Sequence, residues 1–212
     1  MRVRRGWFVL SILLLAGVAF AQSHSNDPSH ASKQKDVYAI YSVLMPGAVF
    51  TNLGPERNQK WAIAATTVAI DDMNPAVSPD WALKPPSYDP KPFQEALADY
   101  YARQHDRETL TNSFHLDRPY VLLASAEVNE FREARSSPGA SGSIQQKYAG
   151  YPGITYFSDV YFSSHRNAAL AYRLDWCGTL CSQGEWIYLE KHNGRWVQRS
   201  GQAAVTSGAK PF

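Results

Sequence analysis

Apolar and polar positions follow three rhythms along this chain of 212 residues. The first is helical. Val37, Ile40, Tyr41 and Leu44 fall at i, i+3, i+4 and i+7, one face of a helix that Asp36 can cap and Pro46-Gly47 can stop. Phe93, Ala96, Leu97, Tyr100 and Tyr101 repeat the template in a helix predicted over 93–104. Asp89 is its N-cap, Pro90 takes the first helical position, and Arg103, His105 and Arg107 stand where cations favour a helix C-terminus. Shorter helices are expected from Ser125 through Phe131, and from the capping-box pattern Ser143-Ile144-Gln145-Gln146 to Gly150. The second rhythm is interruption. Residues 71–92 contain Pro75, Pro79, Pro85, Pro86, Pro90 and Pro92, which predicts a long loop, and long loops in compact domains are functional or mobile. Residues 136–143 form a second loop, of Ser, Gly, Pro and Ala.

The third rhythm has period two. Trp61–Ile70 carries no charge until Asp71 and reads as a buried strand; Tyr120–Ala124 reads as a short one. Four aromatic-rich runs follow: Ile154–Phe162, Ala168–Trp176, Glu185–Lys191 and Arg195–Arg199. In the second run Leu170, Tyr172, Leu174 and Trp176 share one face, and Arg173 and Asp175 share the other, which predicts a solvated pair. Asn193-Gly194 marks a type I′ hairpin turn. The expected fold is α+β: N-terminal helices packed on a C-terminal four-stranded antiparallel meander sheet with one face in water. Its order is similar to cone-shaped domains of the nuclear-transport-factor-like or cystatin-like type, an analogy of fold alone.

The first 21 residues add a compartment. Arg2, Arg4 and Arg5 precede the apolar run Trp7–Phe20, and Ala19-Phe20-Ala21 offers small residues for cleavage after Ala21. The expected organisation is a signal peptide at 1–21, a polar disordered leader at 22–35 and a single α+β domain at 36–212. The apolar run is shorter than the roughly 20 residues that span a bilayer, so no stable membrane insertion is expected after cleavage. The formal charge of +2 then changes: losing three arginines from 21 Lys+Arg leaves 18 against 19 Asp+Glu, a net charge of −1. A near-neutral chain without a basic cluster has no electrostatic drive toward nucleic acid. Cys177 and Cys181 are the two cysteines, and in an oxidising periplasm or medium they are expected to form a structural disulfide.

Several segments carry a resemblance. Tyr120-Val121-Leu122-Leu123, Tyr151-Pro152, Ala169-Leu170-Ala171-Tyr172, Cys177-Gly178-Thr179-Leu180-Cys181 and Tyr188-Leu189-Glu190-Lys191, with Asn193-Gly194-Arg195-Trp196, resemble a family of uncharacterised secreted bacterial proteins. The resemblance covers roughly residues 114–199, with the Cys-Gly-x-x-Cys loop and its Leu-Glu-Lys strand as the most specific part. The chain departs from the pattern at Ser182, where the family favours Gly, and at Tyr161-Phe162-Ser163, where it favours Gly-Phe-Asn. The resemblance implies architecture and compartment and brings no activity.

Candidate chemistry is sparse. The residues that can face a ligand are His105, His115, Asp159, Asp175, Trp176 and Trp186. Asp159 and Asp175 lie on adjacent predicted strands, where a carboxylate pair with a histidine nearby can do acid–base work in a cavity. Trp176, Trp186 and Trp196 recur every ten residues, which fits either a carbohydrate- or peptide-binding surface or strand-plus-turn length with packed rings. His165 and His192 sit in polar turns and read as surface residues. No His-Glu-x-x-His motif is present, and Gly139-Ala140-Ser141-Gly142-Ser143 does not make a nucleophile elbow. The pattern favours an exported non-enzymatic protein that binds a small ligand or protein partner, with no cofactor and no metal. The alternatives are a hydrolase or isomerase using a cavity between helix 93–104 and the sheet, and a thiol-redox or copper-binding protein built on Cys177 and Cys181.

Overall fold

The computed structural model describes residues 28–47, 50, 60–73, 76–136 and 142–204. The segment 1–27, with the expected signal peptide, Ala21 and the first part of the leader, lies outside the described residues. Helix α1 (Pro28–Leu44) is followed by strand β1 (Trp61–Ala64), a 3-10 turn (Ile70–Asp72), helices α2 (Pro79–Ala82) and α3 (Lys91–Arg103), and strand β2 (Tyr120–Leu123). Helices α4 (Ser125–Ser136) and α5 (Gly142–Tyr148) come next, then strands β3 (Ile154–Phe157), β4 (Tyr161–Phe162), β5 (Ala168–Gly178), β6 (Cys181–His192) and β7 (Arg195–Ala204). Helix α1 begins eight residues before Asp36, so the second half of the expected leader is helical. Asp36 is a buried mid-helix pin: its Oδ1 accepts hydrogen bonds from Lys191 Nζ at 2.6 Å and Trp196 Nε1 at 3.0 Å.

The α+β class holds, but the four-stranded antiparallel meander does not. One mixed sheet of seven strands runs β2-β1-β3-β5-β6-β7, with β4 also paired to β5. Strand β1 is parallel to both β2 and β3, and the remaining pairs are antiparallel. The physical reason for the correction is locality. A hairpin announces itself by a turn, whereas parallel pairing joins segments far apart in sequence and leaves no turn signal. The parallel strands have four residues each, too few for a clear period.

The central strands of the sheet are also buried on both faces, unlike those of a half-solvated meander or a cone covered on one side. Helix α1 lays Val37, Tyr38, Ile40, Tyr41 and Leu44 against Ile63, Phe157, Ala171, Ile187 and Leu189. On the opposite face Phe93, Ala96 and Tyr100 of α3 and Val128, Phe131 and Ala134 of α4 meet Ala62, Ile154, Leu170, Leu174, Trp176 and Trp186. Strands between two helical layers read as near-continuous apolar runs, and β1 and β3 are buried at every residue.

Strands β3 and β4 are one ribbon along β5, broken by a bulge. The register sums Phe157↔Arg173 and Tyr161↔Leu170 differ by one, so one extra residue lies between them. The bulge is tied down by Tyr41 OH donating to Ser158 O at 2.8 Å and by Ser158 Oγ accepting from Tyr172 N at 2.8 Å. At the far end of β5, the expected disulfide joins Cys177 to Cys181 across the β5–β6 hairpin, with Cα atoms 5.1 Å apart. So short a loop gains about 2 kcal/mol in the loop-closure treatment, a local staple. Asn193 and Gly194 have φ of 48° and 77°, the two positive values that a type I′ turn requires.

Candidate functional site

The proline-rich stretch, read as a loop from sequence, builds a concave site. It is anchored at both ends. Trp186 Nε1 donates to Val77 O at 2.6 Å, Ala82 and Leu83 are buried, and Asp89 Oδ1 accepts from Lys91 N at 3.2 Å where α3 begins. Between these anchors Pro85 and Pro86 hold the chain extended. The loop bows over β6 and β7 and leaves a hollow of about 330 Å3 lined by Lys84, Pro86, Tyr88, Tyr188, Glu190, His192 and Arg199.

Glu190 is the centre of this hollow. Trp186 and Tyr188 point to the α3 face of β6, and Glu190 continues the same parity to where the helical cover ends. Its Oε1 accepts from Tyr88 OH at 2.5 Å and Tyr188 OH at 3.1 Å; its Oε2 accepts from Arg199 Nε at 3.2 Å and lies 3.6 Å from His192 Nε2. Arg199 is the extra residue of a second bulge, since Tyr188 pairs with Ser200 but Leu189 with Gln198. The bulge turns its guanidinium toward Glu190, and Arg199 also donates to the His192 ring. Burial raises the Glu190 carboxyl, but the hydroxyls of Tyr88 and Tyr188 and the charge of Arg199 outweigh it and leave the group below its ordinary value. Tyr88 moves up, chiefly because its hydroxyl is bound to that carboxylate.

The residues singled out from sequence lie elsewhere. His105 is exposed, with Nδ1 2.9 Å from Asp71 Oδ2, and His115 is exposed beside the end of α1. Trp176 and Trp186 are core residues: Trp176 lies edge-on to Phe131, and Trp186 is packed against Tyr100 at 5.2 Å. Trp196 is buried against Phe162 on the other face, so the ten-residue recurrence is strand-plus-turn length. The interface of α3 with the sheet, where the enzymatic alternative needs a cavity, is filled by Phe93, Ala96 and Tyr100 against Tyr161, Trp186 and Tyr188. Cys177 and Cys181 flank a hairpin turn and are joined to each other as a disulfide. Among the described residues no three His, Cys, Asp or Glu side chains gather as a metal site.

Asp159 and Asp175 do not form a pair. Asp159 sits in the β3–β4 bulge, in a salt bridge with Arg103, which also grips Asp99 through Nε and Nη2 at 2.8 and 2.6 Å. Asp175 and Arg173 share a face as the alternation predicts, but that face is covered by the end of α1, and both are buried. This corrects the expected solvated pair. Thr155 Oγ1 donates to Asp175 Oδ1 at 2.9 Å, and Arg173 Nε lies 3.2 Å from Oδ2 in ionic contact without an aligned hydrogen bond. Arg173 also donates to Glu185 and to the Leu44 carbonyl that ends α1. Gly47 is needed above this cluster, because a Cβ there would overlap the Asp175 carboxylate.

Burial pushes Asp175 up to about 6, against the opposing charge of Arg173 and the Thr155 hydrogen bond. The folded chain therefore holds a proton that the unfolded chain, at 3.8, has released. The resulting stability is fully present below the unfolded value and is lost as pH rises through about 6. The expected size is about 3 kcal/mol between pH 4 and 7. Urea unfolding of wild type and Asp175→Asn across that range checks it. The difference between the two should drift with pH by that order, and parallel curves would remove Asp175 as the source.

No family model, curated protein or solved structure matches the chain. Among the described residues no helix is long and apolar enough to cross a membrane.

Proposed function

We propose that the chain is an exported, non-enzymatic binding protein whose ligand occupies the hollow beneath the proline-rich loop. The observation that carries this reading is the state of Glu190. Its carboxyl is below its ordinary value and its oxygens are already taken by Tyr88, Tyr188 and Arg199. A general acid or base works best with a pKa near ambient pH; Glu190 instead fastens the loop to the sheet. The neighbouring Lys84 and Arg199 outnumber that one acid, and the rings of Tyr88 and Tyr188 flank them. Such a lining suits a small ligand with an anionic group and a ring or sugar face. Asp175 has the pKa of an acid–base catalyst but lies sealed under Gly47. Export rests on the Arg-headed apolar run before Ala21 and on a disulfide that needs an oxidising compartment, periplasmic or extracellular.

Saturation-transfer NMR with glucuronate, glucose and benzoate as probes tests the assignment. Glucuronate should contact the protein saturably and glucose should not. Arg199→Gln should weaken glucuronate about tenfold, the loss of one charge-assisted pair. Unchanged binding in that variant, or no saturable contact from either anion, counts against the site.

A further inference from the structure

The apolar surface of α1 extends past the sheet it covers. Val37, Ile40, Tyr41 and Leu44 meet the strands. Ala39 and Val43, four positions apart, form a neighbouring stripe that stays partly open, with Val43 46% exposed. Beside this stripe stands the β6–β7 hairpin, fastened to α1 by the hydrogen bonds of Lys191 and Trp196 to Asp36. The two elements leave between them a groove of about 550 Å3. Lys35, Ala39 and Val43 line it from the helix, and Lys191, Arg195 and Trp196 from the hairpin. Small-molecule sites span about 300–1,000 Å3, so the groove has room for a ligand.

The groove has two unlike ends. Asp36 is the one acid in its lining, and the Lys191 ammonium, 2.6 Å from Oδ1, neutralises it. Lys35 and Arg195 remain. Both are exposed, and the side chain of neither makes a hydrogen bond or ion pair with a described residue. The lining therefore carries two cations beyond its internal pair. Past Asp36 the helix contributes only Ala39 and Val43, about one and two turns further on. Trp196 adds an apolar ring, because its indole N–H already donates to Asp36 at 3.0 Å. Lys35 and Val43 are about 12 Å apart along the helix, a distance that an alkyl chain of about eight to ten carbons covers. An extended peptide fits less well, because the bulge at Arg199 interrupts the edge of β7 to which a further strand would pair.

We infer that this groove is a second binding site, for a single-chain anionic amphiphile of the fatty-acid type. Lys35 and Arg195 receive the carboxylate, and the chain lies along Ala39 and Val43. The groove shares no residue with the Glu190 hollow, so the two assignments stand or fall separately.

Isothermal titration of the full chain with hexanoate, octanoate and decanoate, and with octanol and octylammonium as eight-carbon controls, tests the site. Octanoate should bind saturably at one site, and octanol and octylammonium should bind about tenfold more weakly or worse. Each added methylene should tighten the carboxylate by up to about fourfold. Lys35→Gln should weaken octanoate about tenfold and leave octanol unchanged. Val43→Gln should flatten the gain from hexanoate to decanoate. Lys35 and Val43 are both exposed, so neither change disturbs the core. Arg199→Gln, in the Glu190 hollow, should leave octanoate unchanged. The site is overturned by no saturable octanoate binding, by equal affinity for octanol, or by full octanoate affinity in Lys35→Gln. A loss in Arg199→Gln alone would place the anion in the Glu190 hollow and overturn it as well.

Discussion

Replacing Arg173 with alanine should cost about 3–5 kcal/mol, the penalty for removing one member of a buried ionic group. Arg173 is 6% exposed and serves three partners at once: Asp175, Glu185 and the Leu44 carbonyl at the end of α1. Its loss leaves Asp175 with only Thr155 and strands an α1 carbonyl. A domain of this size has a total stability of about 5–15 kcal/mol, so the variant should lose much of it. Two features separate this account from a simple packing loss. The cost should shrink toward pH 5, because Asp175 without its cation takes up a proton more readily. Arg173→Met combined with Asp175→Asn should be milder than the two single changes added together, a coupling that a double-mutant cycle measures. A cost below about 1 kcal/mol, in the range of exposed ion pairs, would show that the cluster contributes as a surface pair does.

This cluster depends on a tertiary contact that no local pattern encodes. The alternation along β5 correctly puts Arg173 and Asp175 on one face. Alternation reports parity, however, and says nothing about what lies above a face. Helix α1 is legible from Val37, Ile40, Tyr41 and Leu44, but nothing local assigns its stripe to the face that carries two charges. The antiparallel pairs β5–β6 and β6–β7 were readable because Cys177–Cys181 and Asn193-Gly194 mark their turns. The parallel pairs β1–β2 and β1–β3 have no such marker.

The Glu190 hollow was half-legible. Prolines 75 to 92 identify the loop, and the stripe Trp186, Tyr188, Glu190, His192 can be counted off β6. What joins them is tertiary: the Tyr88 hydroxyl crosses 102 positions to reach Glu190, and a bulge turns Arg199 toward it.

The same stripe supplies the other large effect. Trp186→Ala should destabilise by about 3–5 kcal/mol, the usual cost of emptying a buried aromatic site. Trp186 is fully buried and meets Tyr100 at 5.2 Å, Tyr172 at 5.4 Å and Tyr161 at 6.2 Å, all held by backbone on several elements and poorly able to collapse inward. Trp186→Phe keeps most of that ring contact and removes one interaction, the indole N–H to Val77 O. It should cost about 1–3 kcal/mol, the price of a carbonyl left without its donor. That carbonyl belongs to the near anchor of the proline-rich loop, so the two variants should differ in kind. Trp186→Ala should loosen α3 and the sheet together. Trp186→Phe should raise hydrogen exchange mainly over residues 76–90, leave β5 and β6 protected, and weaken glucuronate at the Glu190 hollow by releasing Tyr88. Uniform exchange across the sheet in Trp186→Phe would mean that Val77 does not fix the loop, and the hollow would then depend on the Tyr88–Glu190 hydrogen bond alone.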